Sequence, residues 1–258
     1  MPPCGSYLVA TSMPNNYFQF KQFTVQQERA AMKVCTDACL FGALVAGSSL
    51  SSGNCLDIGT GTGLLSLMFA QKNNSALIDA FEIDADAAEQ ARGNFSASPW
   101  ANRLQVFNKD ILSLDPGPFP VAGSVTKKYD LVFCNPPFFE DDLRSPFEAK
   151  NKAKHDTALT LVELLHIADT LLTEDGSFAV LLPYLRVDYF IEEAKKVKLY
   201  CNRQILVKQT PKRPFFRGVL FFSRTKKATE QIEIVIKDEN DQYTAAFTEA
   251  LKDYYLNL

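Results

Sequence analysis

From about Asn54 to Pro183 the chain alternates short apolar runs with helical stretches, and this alternation narrows the fold further than any other feature. The runs are CLDIG, ALIDAFEI, LQVFNKD, YDLVFCNPP and GSFAVLLP. Between them stand LLSLMFAQ, DADAAEQARGNF and TALTLVELLHIADTLL. Strands and helices in this order bury their apolar faces as a parallel sheet covered by helices on both sides. Asp84 is placed to cap the helix that follows the second run. Beyond Pro183 a helix, VDYFIEEAKKV, precedes QILVKQ, RGVLFFSR and IEIVIKD. Their close spacing predicts antiparallel pairing at one end of the sheet. Ahead of the core, QQERAAMKVCTDACLFGALV predicts a helix or helix pair beside the first strand, and Pro116–Lys128 predicts an exposed loop.

A chain of 258 residues can bury about three quarters of its unfolded surface, so it needs no staple to fold. It reads as one domain with an N-terminal extension. No run of roughly 18 apolar residues is present, and the start, MPPCGSYLVATSMPNN, has neither the basic region nor the apolar core of an export signal. The six cysteines (Cys4, Cys35, Cys39, Cys55, Cys134 and Cys201) form no CxxC pair, and His155 and His166 are the only histidines. Neither a zinc site nor a disulfide scaffold is expected, and reduced thiols point to the cytoplasm. Net charge is −3, yet the cations are concentrated. Arg203 to Lys227 holds Lys208, Lys212, Arg213, Arg217, Arg224 and Lys226 with no acid among them, and Arg144, Lys150, Lys152 and Lys154 make a second run. Such asymmetry is the footprint of a polyanion-binding protein, with a pair of solvated faces as the alternative.

The chemistry begins at Asp57-Ile-Gly59-Thr-Gly61-Thr-Gly63. Alternate glycines between a strand and a helix let the backbone pass close to a ligand. The spacing is G-x-G-x-G with an acid two residues upstream, not the dinucleotide G-x-G-x-x-G. Asp57 would repel a pyrophosphate and hold a ligand that carries a cationic amino group. Glu82 ends the next strand, where an acid can bind ribose hydroxyls, and Asp110 ends the third. Acids after three successive strands would line the carboxyl edge of a doubly wound sheet.

The second motif is Asn135-Pro136-Pro137-Phe138, directly after YDLVFC. Two prolines stiffen the backbone and leave its carbonyls free to accept. The Asn135 side-chain oxygen and the Pro136 carbonyl can grip both hydrogens of an exocyclic amine. An aryl amine is a poor nucleophile because its lone pair is delocalised into the ring. Two acceptors favour a pyramidal nitrogen with a localised lone pair, and Phe138 offers a face for stacking. Cys134 ends a buried strand and reads as structural.

Together, GTGTG with Asp57, Glu82 and Asp110 resembles the cofactor site of class I S-adenosylmethionine methyltransferases. That resemblance implies a doubly wound, mostly parallel, Rossmann-like sheet of seven strands, with antiparallel strands at its C-terminal edge. It also implies that Glu82 holds the ribose while Asp110 and Ile111 flank the adenine. NPPF resembles the (D/N)PP(Y/F/W) signature of enzymes that methylate an amino nitrogen on an sp2 carbon. Four substrate classes share that signature: DNA adenine, RNA adenine, RNA guanine N2 and protein glutamine. The flanks resemble the bacterial tRNA adenine-N6 methyltransferases that act beside the anticodon of valine tRNA. The resemblance rests on Phe20, Lys21, Phe23 and Val25, on Lys33, Val34, Thr36 and Asp37, and on Ala153-Lys154-His155-Asp156, where Lys replaces the usual Arg. It implies that residues 1–50 cover the cofactor, with Lys21, Gln22, Thr36 and Asp37 contributing, and that residues 51–258 form the catalytic domain. It further implies tRNA as partner; the basic runs place Lys150, Lys152, Lys154, Lys212, Arg213 and Arg217 on its backbone, with one of Phe215 and Phe216 stacking and the other buried in a hairpin. A monomer is expected, with a dimer as the alternative. Guanine-N2 enzymes, glutamine methyltransferases and a noncatalytic RNA-binding relative remain the competing readings.

Overall fold

The computed structural model describes residues 15–30, 32–48, 53–114, 127–136 and 159–258. A short hairpin, β1 (Tyr17–Gln19) and β2 (Thr24–Gln26), leads into helix α1 (Thr36–Ala46). The core then runs β3 (Asn54–Ile58), α2 (Leu64–Lys72), β4 (Leu77–Glu82), α3 (Ala85–Ser96), β5 (Leu104–Asn108) and β6 (Tyr129–Cys134). After the undescribed segment come α4 (Leu161–Leu171), β7 (Leu172–Pro183), α5 (Val187–Lys196), β8 (Tyr200–Lys208), β9 (Phe215–Ser223), β10 (Glu230–Val235) and α6 (Ala245–Leu251).

Strands β3 to β10 form one sheet in the order β10-β8-β9-β7-β6-β3-β4-β5. From β3 the chain winds outward through β4 to β5, then crosses to β6 and β7 on the other side. The crevice at that reversal, above the carboxyl ends of β3 and β6, is where open α/β sheets bind ligands. Period-two alternation feeds both faces: Leu131 and Phe133 join one apolar cluster with α1, α2, α3 and α6, while Val132 and Cys134 join the other with α4 and α5. Phe20, Phe23 and Val25 of the extension are buried in the first cluster. As expected, Asp84 caps α3, its Oδ1 accepting from the Ala87 N–H at 2.8 Å.

Three expectations need correcting. Seven strands are implied by the resemblance, and among the described residues the sheet has eight, β10 being added beside β8. The late strands are not all antiparallel: β9 opposes both β7 and β8, but β10 lies parallel to β8. The stretch from Gln26 to Val45 is not helical throughout, since Gln26 ends β2 and the helix starts at Thr36. Side chains claim the backbone N–H groups that an earlier helix would use. The Val34 N–H donates to Gln27 Oε1, and the Arg29 N–H to Gln90 Oε1. Tertiary hydrogen bonds here override helix propensity. Most of the expected loop at Pro116–Lys128 lies outside the described residues.

Candidate active site

Gly59, Gly61 and Gly63 all have positive φ, at 68°, 56° and 84°, a region that costs other residues about 1–2 kcal/mol each. A Cβ on Gly59 or Gly61 would meet nothing within 4 Å, whereas one on Gly63 would strike the Phe95 ring at 2.5 Å. The first two glycines therefore face open space, and the third lets α2 pack close to α3. Phe81 anchors the turn, its carbonyl accepting from the N–H groups of Gly59 and Thr60.

Beneath the turn Asp57 is fully buried. Its Oδ2 accepts from Thr60 Oγ1 at 2.7 Å and Ser66 Oγ at 2.6 Å, and its Oδ1 has no partner among the described residues. Burial pushes this carboxyl up to about 6; the two hydroxyls pull it down, and the charge of Glu82 adds to the rise. Glu82 bridges two backbone amides, Gly61 to Oε2 at 2.8 Å and Asp84 to Oε1 at 3.0 Å. Asp110 caps the turn that follows β5, accepting from the Leu112 N–H at 2.9 Å.

The register of β3 on β6 pairs Ile58 with Cys134, so Asn135 emerges alongside Gly59. Its Oδ1 is buried and lacks a hydrogen-bond partner among the described residues. Cys134 is buried beneath it, its thiol pushed well above the usual range by desolvation and then by Asp57 and Glu82. A thiol held protonated in this way is no nucleophile. A cavity of about 520 Å³ opens over these groups. Gly59, Gly61, Glu82, Asp110, Ile111, Asn135 and Pro136 line it, joined by Arg29, Ala30 and Met32 of the extension.

The methyltransferase small domain family matches residues 38–186 of the chain. Over most of its length the chain is similar to two curated enzymes named tRNA1(Val) (adenine(37)-N6)-methyltransferase. That of Cytophaga hutchinsonii is 42% identical over 95% of this chain and 100% of the relative. That of Pectobacterium carotovorum is 39% identical over 93% of each. The chain belongs to this methyltransferase family. Among solved structures, the fold is like that of a predicted O-methyltransferase from Agrobacterium tumefaciens, with TM-score 0.65 and 16% identity over 86% of this chain and 100% of that one. A methyltransferase from Pyrococcus furiosus aligns with TM-score 0.53 and 21% identity, over 78% of this chain and 90% of that one.

Not every expected site residue of this family member reaches the cavity. The Lys21 ammonium turns away to the Lys252 carbonyl at 2.5 Å, and Gln22 is exposed outside the cavity lining. Asp37 is bound to Arg217, whose Nε lies 2.7 Å from its Oδ2. The Arg217 guanidinium joins β9 to the start of α1, and Asp37 is held below the usual carboxylate range: burial works against this, but hydrogen bonds from Cys35 and Arg217 outweigh it. Thr36 begins the same helix, outside the cavity lining. Lys212 is exposed and pairs loosely with Glu239 at 3.3 Å; Arg213 is exposed beside it. Pro137, Phe138, Lys150, Lys152 and Lys154 lie outside the described residues. Among the described residues no group of three His, Cys, Asp or Glu side chains is placed to hold a metal ion.

The sequence reading misses three buried amides. Asn94 on α3 accepts from the Gln26 N–H and donates to the carbonyls of Gln26 and Thr62. It fastens β2 to the glycine turn. Gln90, one helical turn earlier, holds the Arg29 N–H, and Gln27 ties Asn15 to Val34. These amides set the extension over the cavity mouth. Nothing in the sequence marks them, because Asn and Gln on an amphipathic helix read as solvent-facing.

Proposed function

We propose that this chain transfers a methyl group from S-adenosylmethionine to the exocyclic N6 amine of an adenine in tRNA, at position 37 of tRNA1(Val) as in its named relatives. The observation that carries this reading is the buried, unpartnered Asn135 Oδ1 beside an open glycine turn with a buried acid. The donor set suits the cofactor. Asp57, buried beneath the turn and outside the cavity lining, offers a negative charge to a cationic amino group from below, Gly59 and Gly61 leave the space in front of the turn clear, and Glu82 sits at a strand end where it can exchange its two amide partners for ribose hydroxyls. The slot for an adenine ring is assigned to Asp110 and Ile111. When bound, the cofactor supplies an electrophilic methyl group on a sulfonium.

Asn135 Oδ1 and the Pro136 carbonyl accept the two N–H bonds of the target amine, so the nitrogen lone pair is no longer shared with the ring and can attack. The surplus proton leaves afterwards to solvent, and no basic side chain is required. Phe138 is assigned to stack on the base. Residues 1–50 act as a cover and residues 51–258 as the catalytic domain. The enzyme is assigned to the cytoplasm as a monomer; no helix among the described residues is long and apolar enough to cross a membrane.

Mass spectrometry of nucleosides from bulk tRNA incubated with the protein and labelled cofactor tests the assignment. Label in N6-methyladenosine is expected. Label in N2-methylguanosine or in protein glutamine would keep the Asn135 chemistry but overturn the substrate. Tight cofactor binding with no transfer to any acceptor would mark a noncatalytic relative.

A further inference from the structure

The carboxyl edge of the sheet carries a second feature, one strand beyond Asn135. In register, Cys134 of β6 pairs with Val180 of β7, and β7 continues three residues further to Pro183 before turning at Tyr184–Arg186 into α5. At this turn and the first turn of α5, three large side chains face solvent: Leu185 at 71% exposure, Tyr189 at 45% and Tyr184 at 37%. Exposed apolar groups gathered at one place mark a contact surface more often than scattered ones do. The turn is also built to hold its shape. Gly218 of β9 has no Cβ, and one placed there would strike Val187 at 2.4 Å, so the absence of a side chain is what lets the turn seat on the sheet.

The surroundings favour a nucleic acid. The Tyr184 ring lies 5.3 Å from that of Phe215, and Lys208 Nζ sits 4.4 Å from the Phe215 centroid. Because β9 runs against β7, the hairpin of residues 209–214 hangs from this same edge, with Arg213 exposed on it. Acids are present too: Glu233 takes Lys208 and Glu239 takes Lys212, while Asp188 is exposed within the patch. The ion pairs are partly or largely exposed, and such contacts are weak and readily exchanged for phosphate. Rings backed by cations are how proteins hold bases that have left a helical stack.

We infer that Tyr184 and Leu185, backed by Phe215, form a docking surface for unstacked bases of a single-stranded RNA loop, next to the adenine being methylated. This rests on the tRNA-adenine reading above and adds where the neighbouring nucleotides lie. The test uses Tyr184→Ala and Leu185→Ala in the full chain, with a fluorescein-labelled anticodon stem-loop RNA followed by anisotropy and tRNA methylation followed by label transfer. Each variant should weaken RNA affinity and raise the KM for tRNA by roughly 5- to 100-fold, the range for losing one stacked base. Cofactor affinity and the salt slope of RNA binding should stay unchanged, since no phosphate contact is removed. Unaltered RNA affinity and KM would overturn the docking surface even if the wild type methylates adenine. So would Leu185→Glu altering the sedimentation of the protein alone while RNA binding persists, which would mark a contact between copies. If the patch variants lose RNA affinity but the wild-type label lands elsewhere than adenine N6, the surface stands and the substrate reading falls.

Discussion

Two aspartates are buried in adjacent strands of the same sheet, one register position apart and on opposite faces, and their surroundings differ in one respect. Asp79 of β4 accepts from the Tyr129 hydroxyl at 2.8 Å and from the Lys127 ammonium at 2.7 Å. Asp57 of β3, at the carboxyl edge, receives only two neutral hydroxyls, and one of its oxygens is left over. A buried carboxylate without a cation is costly. At Asp79 the chain supplies the cation itself, which is a structural solution. At Asp57 it leaves the cost in place, beneath the glycine turn that faces the cavity. Asn135 Oδ1 at the same cavity is likewise unpartnered among the described residues, as is Gln71 Oε1 at the end of α2, away from it.

The sharpest way to break this contrast is Asn135→Ala. It removes an acceptor aimed at the reacting amine, and the turnover rate should fall on the order of 10² to 10³, by analogy with an oxyanion-hole donor. Calorimetric cofactor affinity should hold; an equal loss of affinity would show that Asn135 serves the cofactor instead. Next comes Asp57→Asn, which keeps both hydroxyl contacts and removes only the charge. Cofactor affinity should drop about ten- to a hundredfold, in line with a lost hydrogen bond to a charged group, while the melting temperature of the empty protein stays level or rises. Asp79→Ala should do the opposite. Cofactor affinity is kept and stability falls by about 1–3 kcal/mol, because the Tyr129 hydroxyl loses its partner. If both variants act alike, the distinction between the two aspartates fails.

Acidity gives a finer test. The Asp57 carboxyl is raised to about 6 from an ordinary value near 3.8, so the folded protein prefers it protonated. Its stabilising contribution is full below the ordinary value and is lost as pH rises through about 6. Measured against Asp57→Asn, the empty wild type should gain stability as pH falls from about 6 to about 4, the window of that shift. Cofactor affinity should move the other way, weakening up to about tenfold per pH unit below 6 as the carboxylate is neutralised. The smallest effect is expected on the RNA side. Charge reversal at Arg213 should lower the salt slope of tRNA binding by about one unit, whereas Arg217→Ala should leave the slope alone and loosen α1, as its ion pair to Asp37 dictates.

How far the sequence reaches follows from the range of each interaction. The glycine turn, the acids at strand ends and the NPPF element are local, each within a few residues of a strand end, and the alternation around them is enough to predict the parallel sheet that holds β3 to β7. What escapes is set by partners far along the chain. Asn94 meets Gln26 across 68 positions and Arg217 meets Asp37 across 180; neither side chain carries a local sign of its partner. The same holds for β10, whose parallel seat beside β8 depends on β9 having already filled the place next to β7.

That seat for β9 has a consequence in time. Leaving a ribosome at roughly 5–20 residues per second, the chain presents β7 and then β8, but β8 has no hydrogen-bonding seat on β7. It must wait for β9, whose arrival completes both neighbours at once. For several seconds of synthesis β7 is an edge strand, apolar and unpaired, of the kind that recruits stray strands. The half of the sheet that carries the basic hairpin is therefore the last to become protein, and the stretch of translation between Pro183 and Ser223 is when a nascent copy is most open to misassembly with another.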